Sequence, residues 1–404
     1  MKIVFLVDAF PTLSETFILN QINHFAKAED VKILSYNKPA TEAVSASARK
    51  CKLLEKTTYL NRTKSKAVCR TDAAIQIVSG FLRHPRLVWE VLKRLIINND
   101  TFSYPELFLA LYCVKKCPDI LISHFGPIGV KGLLLKEIGL KTKLATVFHG
   151  YDLSSYLTKN GPTVYRQLFE KGDLFLPISE FWKNKLIALG CPCEKIVVHH
   201  MGIELDKFPF KKREYIRLKP FRCLTVSRLV EKKGHIYALE AVSELVRENQ
   251  KIVYEIAGDG PLRERLQQKA KELNIEANVI FHGSVQHSQV IQLMAAANCF
   301  LLPSVTTDDG DMEGIPVVLM EAMATGLPVV STCHSGIPEL ITHKYNGMIV
   351  PERDAGAIKA ALTESIQTYE GVLEMAERGR KTVENAFEAG RLNDRLYQTI
   401  QSLQ

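Results

Sequence analysis

Residues 303–331, PSVTTDDGDMEGIPVVLMEAMATGLPVVS, decide how the chain is read. They follow the apolar run Cys299–Leu302, which has the length and content of a buried strand. An acidic loop comes next, carrying Asp308, Asp309, Asp311 and Glu313. Gly314-Ile315-Pro316 then opens a helix over Val317–Ala324, rich in Leu, Met, Glu and Ala. Pro316 is tolerated near a first helical turn, where a missing N–H costs nothing. Gly326 is a helix stop, Pro328 lies just beyond it, and residues 327–331 begin another buried strand. The unit is strand, loop, helix, strand. Its polar loop falls at the carboxyl end of a strand, where open α/β sheets bind ligands.

Two glutamates bracket the start of this helix, Glu313 just before it and Glu321 two turns on, with seven residues between them. The free N–H groups of the first turn between them form an anion site, reinforced by the helix dipole. Carboxylates repel phosphate but accept hydroxyls, so the loop suits a molecule carrying both, such as a nucleotide sugar. The alternative is an acidic N-terminus that only satisfies the dipole, at about 0.3–1 kcal/mol per charge.

The same unit recurs outward from this stretch. In the second half, strands over Phe221–Val226, 251–257, 279–282 and 347–350 alternate with helices over 234–247, 262–273 and 288–296 and another short helix after Gly336-Ile337-Pro338-Glu339. In the first half, strands over 2–8, 31–36, 120–123, 144–148, Leu174–Pro177 and 196–199 are expected, with residues 40–110 mostly helical and irregular. Strands alternating with helices predict parallel sheets with crossovers. No G-x-G-x-x-G follows the first strand, so the nicotinamide-dinucleotide fingerprint is absent. Residues 201–215 read as the change-over between halves. Polar residues close several strands: Asp8, His124, His149 and Ser179. His124 and His149 each precede a glycine-containing turn, where a substrate approaches backbone closely. A lone histidine there is otherwise an ordinary hydrogen-bonded loop residue.

The first strand of the second half runs into SRLVEKKG, with Arg228 and Lys233 flanking a loop before a helix. A guanidinium grips phosphate with two bonds and an ammonium adds a point charge. Together with the helix at Pro316 they would hold a diphosphate without a metal. The competing reading is a solvated loop with surface charge.

With 404 residues, 46% hydrophobic and 24% charged, the chain has material for two globular cores. No apolar run approaches the ~18 residues of a spanning helix. Lys2 leads straight into an apolar run that Asp8 ends, too short for a signal peptide, which points to the cytoplasm. Nine cysteines, scattered and without paired zinc-site spacing, read as reduced structural thiols. The net charge of +8 concentrates in residues 49–94, where Lys and Arg interleave with apolar residues as in basic amphipathic helices. Such helices lie on anionic membranes; the alternative is a solvated face of a packed helix. Nothing resembles a groove-reading or base-stacking module, so nucleic acid is not an expected partner.

In order, SRLVEKKG, AGDGP, FHGSV, EGIPVVLMEAMATGLPVVST and SGIPE resemble glycosyltransferase family 4, of the GT-B fold. FPTLSETFI, HFGP and FHGYD resemble its branch for bacterial surface polysaccharides of the colanic-acid and amylovoran type. The resemblance spans nearly the whole chain and is loosest over residues 40–116. It implies two Rossmann-like domains facing across a cleft. Residues 1–205, completed by a last helix at about 388–404, would take the acceptor, and residues 206–387 the nucleotide-sugar donor. It implies retention of anomeric configuration, no bound metal, no cofactor beyond a UDP- or GDP-linked sugar, and a lipid-linked oligosaccharide acceptor at the inner membrane face. Carried over residue by residue, Arg228 and Lys233 would hold the diphosphate and Glu313 the sugar hydroxyls. The backbone at Gly314, Ile315, Pro316 and Val317 would approach sugar and phosphates, Glu321 the ribose, and Gly283 and Val285 the base. His149 would lie by the reacting sugar. Ser14 and Glu15 stand where many relatives have a glycine-rich loop; acceptor or phosphate contact is expected of them, with His124 and Asp152 on the same acceptor side. The other activities weighed are a nucleotide-sugar epimerase or phosphorylase of this fold and a non-catalytic nucleotide-sugar sensor.

Overall fold

A computed structural model describes residues 1–12, 15–39, 52–61, 66–97, 103–214 and 219–403. The chain forms two compact units. One comprises Met1–Ile178, Lys183–His199 and Asn393–Gln404; the other comprises Ser179–Trp182 and His200–Leu392.

The first unit holds a six-stranded sheet. Its strands are β1 (Lys2–Ala9), β2 (Asp30–Asn37), β3 (Thr57–Tyr59), β4 (Ile120–His124), β5 (Lys143–Phe148) and β6 (Leu174–Pro177). Their order is β3-β2-β1-β4-β5-β6, and every pairing is parallel. Helices cover both faces of such sheets, so the strands read as continuous apolar runs; Ile3 through Val7 are all buried. The order reverses between β1 and β4, which makes the loops after these two strands the ligand-binding edge. β3 is an addition the composition of residues 40–110 did not announce.

Residues 196–199 form no strand, contrary to expectation. Ile196 makes one isolated bridge to Phe175, and the N–H groups of Val197 and His199 donate to Phe175 and Pro177. The next rung requires an N–H from residue 177, which is proline, so the ladder stops.

The second unit repeats the plan with β7 (Phe221–Val226), β8 (Ile252–Ala257), β9 (Val279–Gly283), β10 (Cys299–Leu302), β11 (Val329–Thr332) and β12 (Met348–Val350). The order is β12-β11-β10-β7-β8-β9, again all parallel, and it reverses between β7 and β10. The helix Val317–Ala324 has the bounds read from its residues and buries Leu319, Met320, Ala322, Met323 and Ala324. Gly326 follows its C-terminus at φ +73°, the left-handed conformation glycine adopts without strain.

Arg213 is buried against two helix ends. Its Nε donates to the Gly326 carbonyl at 2.8 Å, and Nη1 to the Met294 and Ala297 carbonyls at 2.8 and 2.9 Å. Nη2 reaches the Thr325 hydroxyl at 3.1 Å. One guanidinium thus satisfies carbonyls that the ends of His287–Ala296 and Val317–Ala324 leave unpaired. Among the described residues, no helix is long and apolar enough to cross a membrane. Seven described cysteines carry free thiols.

Candidate active site

In the second unit the switch point brings together the loop after β7 and the loop after β10. The first loop turns at Gly234, whose φ is +68°; a Cβ there would lie 1.8 Å from the Pro303 carbonyl oxygen. Only glycine permits that approach, so the two loops lie against each other. Val305 N–H donates to the Lys232 carbonyl at 2.9 Å and ties them further.

The short turn Glu231–Lys233 presents two ammonium groups to the acidic loop. Lys233 Nζ lies 2.9 Å from Glu313 Oε2. Lys232 Nζ lies 3.0 Å from Asp311 Oδ2 and 3.6 Å from Glu313 Oε1, the latter an ion-pair distance beyond hydrogen-bond range. Burial pushes the Glu313 carboxyl up, but the charges of Lys233 and Lys232 outweigh it and hold the group below the usual glutamate value. Burial likewise lowers Lys232, and Glu313 and Asp311 more than restore it. Glu313 is therefore a buried, ionised carboxylate whose Oε1 lacks a hydrogen-bond partner among the described residues. An unfilled acceptor of this kind is the group a hydroxyl would use. The Glu313 backbone N–H is taken by His334 Nε2 at 3.0 Å.

Arg228 is exposed at the head of the same loop. Gly314, Ile315, Pro316 and Val317 carry the chain from Glu313 into the helix, with Pro316 as its N-cap. Glu321 lies partly buried on that helix, and burial pushes its carboxyl to about 7 against the pull of Lys207. Gly283 ends the edge strand β9, its carbonyl accepting Gly258 N–H at 2.8 Å, and Val285 packs on the core beyond it. The sequence singled out Lys233 and Glu313; it missed Lys232 as their partner, and it missed His334. A second lysine beside Lys233 was the available signal for Lys232. For His334 the available signal was its place just after a strand, between the two motifs that end at Thr332 and begin at Ser335.

At the switch point of the first unit, His124 Nδ1 and His149 Nε2 are 3.0 Å apart, one donating and one accepting. Both rings are buried, with Phe17 and Phe125 against His149. Burial, then the neighbouring histidines, hold His124 well below its ordinary value; burial and His199 bring His149 to about 3. Both are neutral at physiological pH, so His149 serves as a hydrogen-bonding group rather than a standing charge. Asp152 is fully buried, and its carboxylate accepts the N–H groups of Gly126, His149 and Gly150 at 2.9, 3.0 and 2.9 Å. Those bonds lock the turn after β5 to the turn after β4. Burial still raises its carboxyl to about 6. Glu15 precedes the helix Thr16–Phe25, accepts the Thr12 hydroxyl at 2.7 Å, and is raised by burial. Ser14 lies outside the described residues. No group of three or more metal-ligating side chains occurs among the described residues.

Residues 206–382 match the family described as Glycosyl transferases group 1, and residues 74–207 match Glycosyltransferase Family 4. The amylovoran biosynthesis glycosyltransferase AmsK of Erwinia amylovora is 39% identical, with 96% of each chain covered. WcaL of Escherichia coli, assigned as a colanic acid biosynthesis glycosyltransferase, is 38% identical over the full length of both chains. Among solved structures, Anabaena Alr3699/HepE in complex with UDP-glucose superposes with a TM-score of 0.76 at 18% identity, covering both chains completely, a likeness of fold.

Proposed function

The chain belongs to glycosyltransferase family 4, and from that premise we propose that it builds a surface exopolysaccharide. It moves a hexose from a nucleoside diphosphate sugar to a growing lipid-linked oligosaccharide, with retention of anomeric configuration and without a metal. The observation that carries the donor reading is the buried Glu313 carboxylate, held ionised by Lys233 and Lys232 with Oε1 unpartnered, at the N-terminal end of the helix Val317–Ala324. Sugar hydroxyls donate to that oxygen. The diphosphate takes the helix N-terminus, Arg228 and the two lysines.

Breaking the bond between the sugar and the phosphate oxygen leaves an electron-poor sugar and a diphosphate anion. Fixed cations and backbone N–H groups aimed at that anion stabilise the charge as it develops. The departing phosphate oxygen takes the acceptor hydroxyl's proton on the same face. In the first unit His149 and its partner His124 offer neutral hydrogen-bonding groups at the sheet edge, and Asp152 holds their turns together.

The proposal extends to a peripheral contact with the anionic inner membrane. On the helices Lys66–Phe81 and Pro85–Ile97, Ile75, Val78 and Trp89 are exposed, with Leu82 exposed in the turn between. Arg83, Arg86 and Lys93 are exposed beside them. Part of the basic stretch, including Arg62 and Lys64, lies outside the described residues.

Thermal denaturation with UDP, GDP and ADP, each with and without magnesium, tests the donor reading. A nucleotide at about a hundred times its Kd adds ~2.7 kcal/mol of stability. One base is expected to raise Tm, equally with and without magnesium. A shift that requires magnesium overturns the metal-free reading, and no shift with any nucleotide overturns the donor site.

A further inference from the structure

We propose that Glu352 and His334 are a positioning pair that sets the Glu313 carboxylate for the donor sugar. The inference rests on Glu313 being the donor-sugar contact. The His334 side chain is fully buried. Its Nε2 lies 3.0 Å from the Glu313 backbone nitrogen. A peptide N–H only donates, so Nε2 is the acceptor and carries no proton. The ring proton is therefore on Nδ1, which donates to Glu352 Oε1 at 2.6 Å. The other carboxylate oxygen, Oε2, accepts the Thr306 N–H at 2.7 Å. Arg353 donates to the Thr306 carbonyl, so the peptide units on either side of Thr306 are both held.

Thr306 and Glu313 stand at the two ends of the acidic loop. One carboxylate grips the first end directly and the second through the imidazole. The lysine contacts to Glu313 come from long, flexible side chains and fix charge more than position. The histidine bond fixes backbone, and hence the root of the Glu313 side chain. Residues that orient a reacting group in this way matter because a misplacement of about 1 Å costs up to ~10²-fold in rate.

The geometry identifies a nearly isosteric disruption. A carboxylate offers two acceptors, one for Thr306 N–H and one for His334 Nδ1–H. Glu352→Gln offers one, and its amide N–H₂ must face a donor. If His334 moves its proton to Nε2 in response, that proton meets the Glu313 N–H. In every arrangement one link is lost.

The test is a double-mutant cycle, with kcat/KM measured on the sugar nucleotide the wild type uses from UDP-glucose, UDP-galactose and GDP-mannose. Glu352→Gln is expected to lower kcat/KM by about tenfold or more. The Kd for free UDP or GDP should stay within about threefold and Tm within a few degrees. In a Glu313→Gln background the same substitution should change kcat/KM by less than about twofold, because both act through one group. Additive losses overturn the inference, as does an equal loss of free-nucleotide affinity. An active wild type with an unaffected Glu352→Gln variant overturns it alone. A wild type that binds neither UDP nor GDP overturns the donor reading and the inference with it. The wild type gives a second measurement that needs no variant: ¹⁵N NMR of histidine should show His334 protonated at Nδ1 and bare at Nε2. The opposite tautomer overturns the pairing.

Discussion

Lys233 Nζ and Glu313 Oε2 are 2.9 Å apart, with side chains only 14% and 11% exposed. Two charges taken this far out of water depend on each other, and removing one strands the other. Lys233→Met is expected to cost about 3 kcal/mol of stability, the lower end for a broken buried pair because Lys232 stays nearby. Glu313→Gln should be milder on stability and harsher on activity. Turnover is expected to fall by about 10²-fold or more, as for loss of a fixed transition-state contact, with nucleotide affinity retained. Chemical denaturation of both variants and turnover of the second check this; unchanged turnover would remove Glu313 from the mechanism.

Glu321 makes stability depend on pH. Burial lifts its carboxyl from 4.5 to about 7, so the folded protein binds this proton more tightly than the unfolded chain. The stabilisation is complete below pH 4.5 and is lost as pH rises through 7. Glu321→Gln removes this dependence. The variant should melt higher than the wild type at pH 8 and alike at pH 4.5. Parallel Tm profiles across that range would show that Glu321 ionises freely in the folded state.

Arg213 tests the fold apart from the chemistry. Arg213→Met leaves the Gly326, Met294 and Ala297 carbonyls without their donor. Each unsatisfied buried group costs about 1–3 kcal/mol, partly recovered by water, so a net loss of ~3 kcal/mol is expected in urea denaturation. Activity per folded molecule should be retained below the melting temperature. A loss under about 1 kcal/mol would mean that solvent reaches these helix ends readily.

Membrane contact is checked by flotation with vesicles. Neutralising Arg83, Arg86 and Lys93 to Gln should weaken binding to anionic vesicles by up to ~3 kcal/mol, at about 1 kcal/mol per charge. Zwitterionic vesicles should bind weakly before and after. Equal flotation of the triple variant on anionic vesicles would count against these helices as the anchor.

Local features of the chain already determined much of this. Apolar runs closed by glycine, proline and polar residues marked β6, β7 and β10 and the helix Val317–Ala324 with their observed bounds. These are decisions of backbone propensity and burial, made within a few residues, and alternation of strand and helix leaves a parallel sheet as the way to bury both. Glu313 and Lys233 stood out because their residue types flank loops that a parallel sheet gathers at one edge.

Partners across the sheet were a different matter. Strand order alone places the loop after β7 beside the loop after β10, and it is the 2.9 Å separation there that turns two candidate ligands into one ion pair. His334 and Glu352 sit on loops after β11 and β12, and they meet because those strands pair. Asp152, which the resemblance places on the acceptor side, also accepts three backbone N–H groups from two turns, partners that its own turn did not announce. The strand expected at residues 196–199 failed on a residue in another segment, Pro177, which has no N–H to offer. Composition reports what a segment buries. Which donor meets which acceptor depends on register and strand order, and only the tertiary structure decides those.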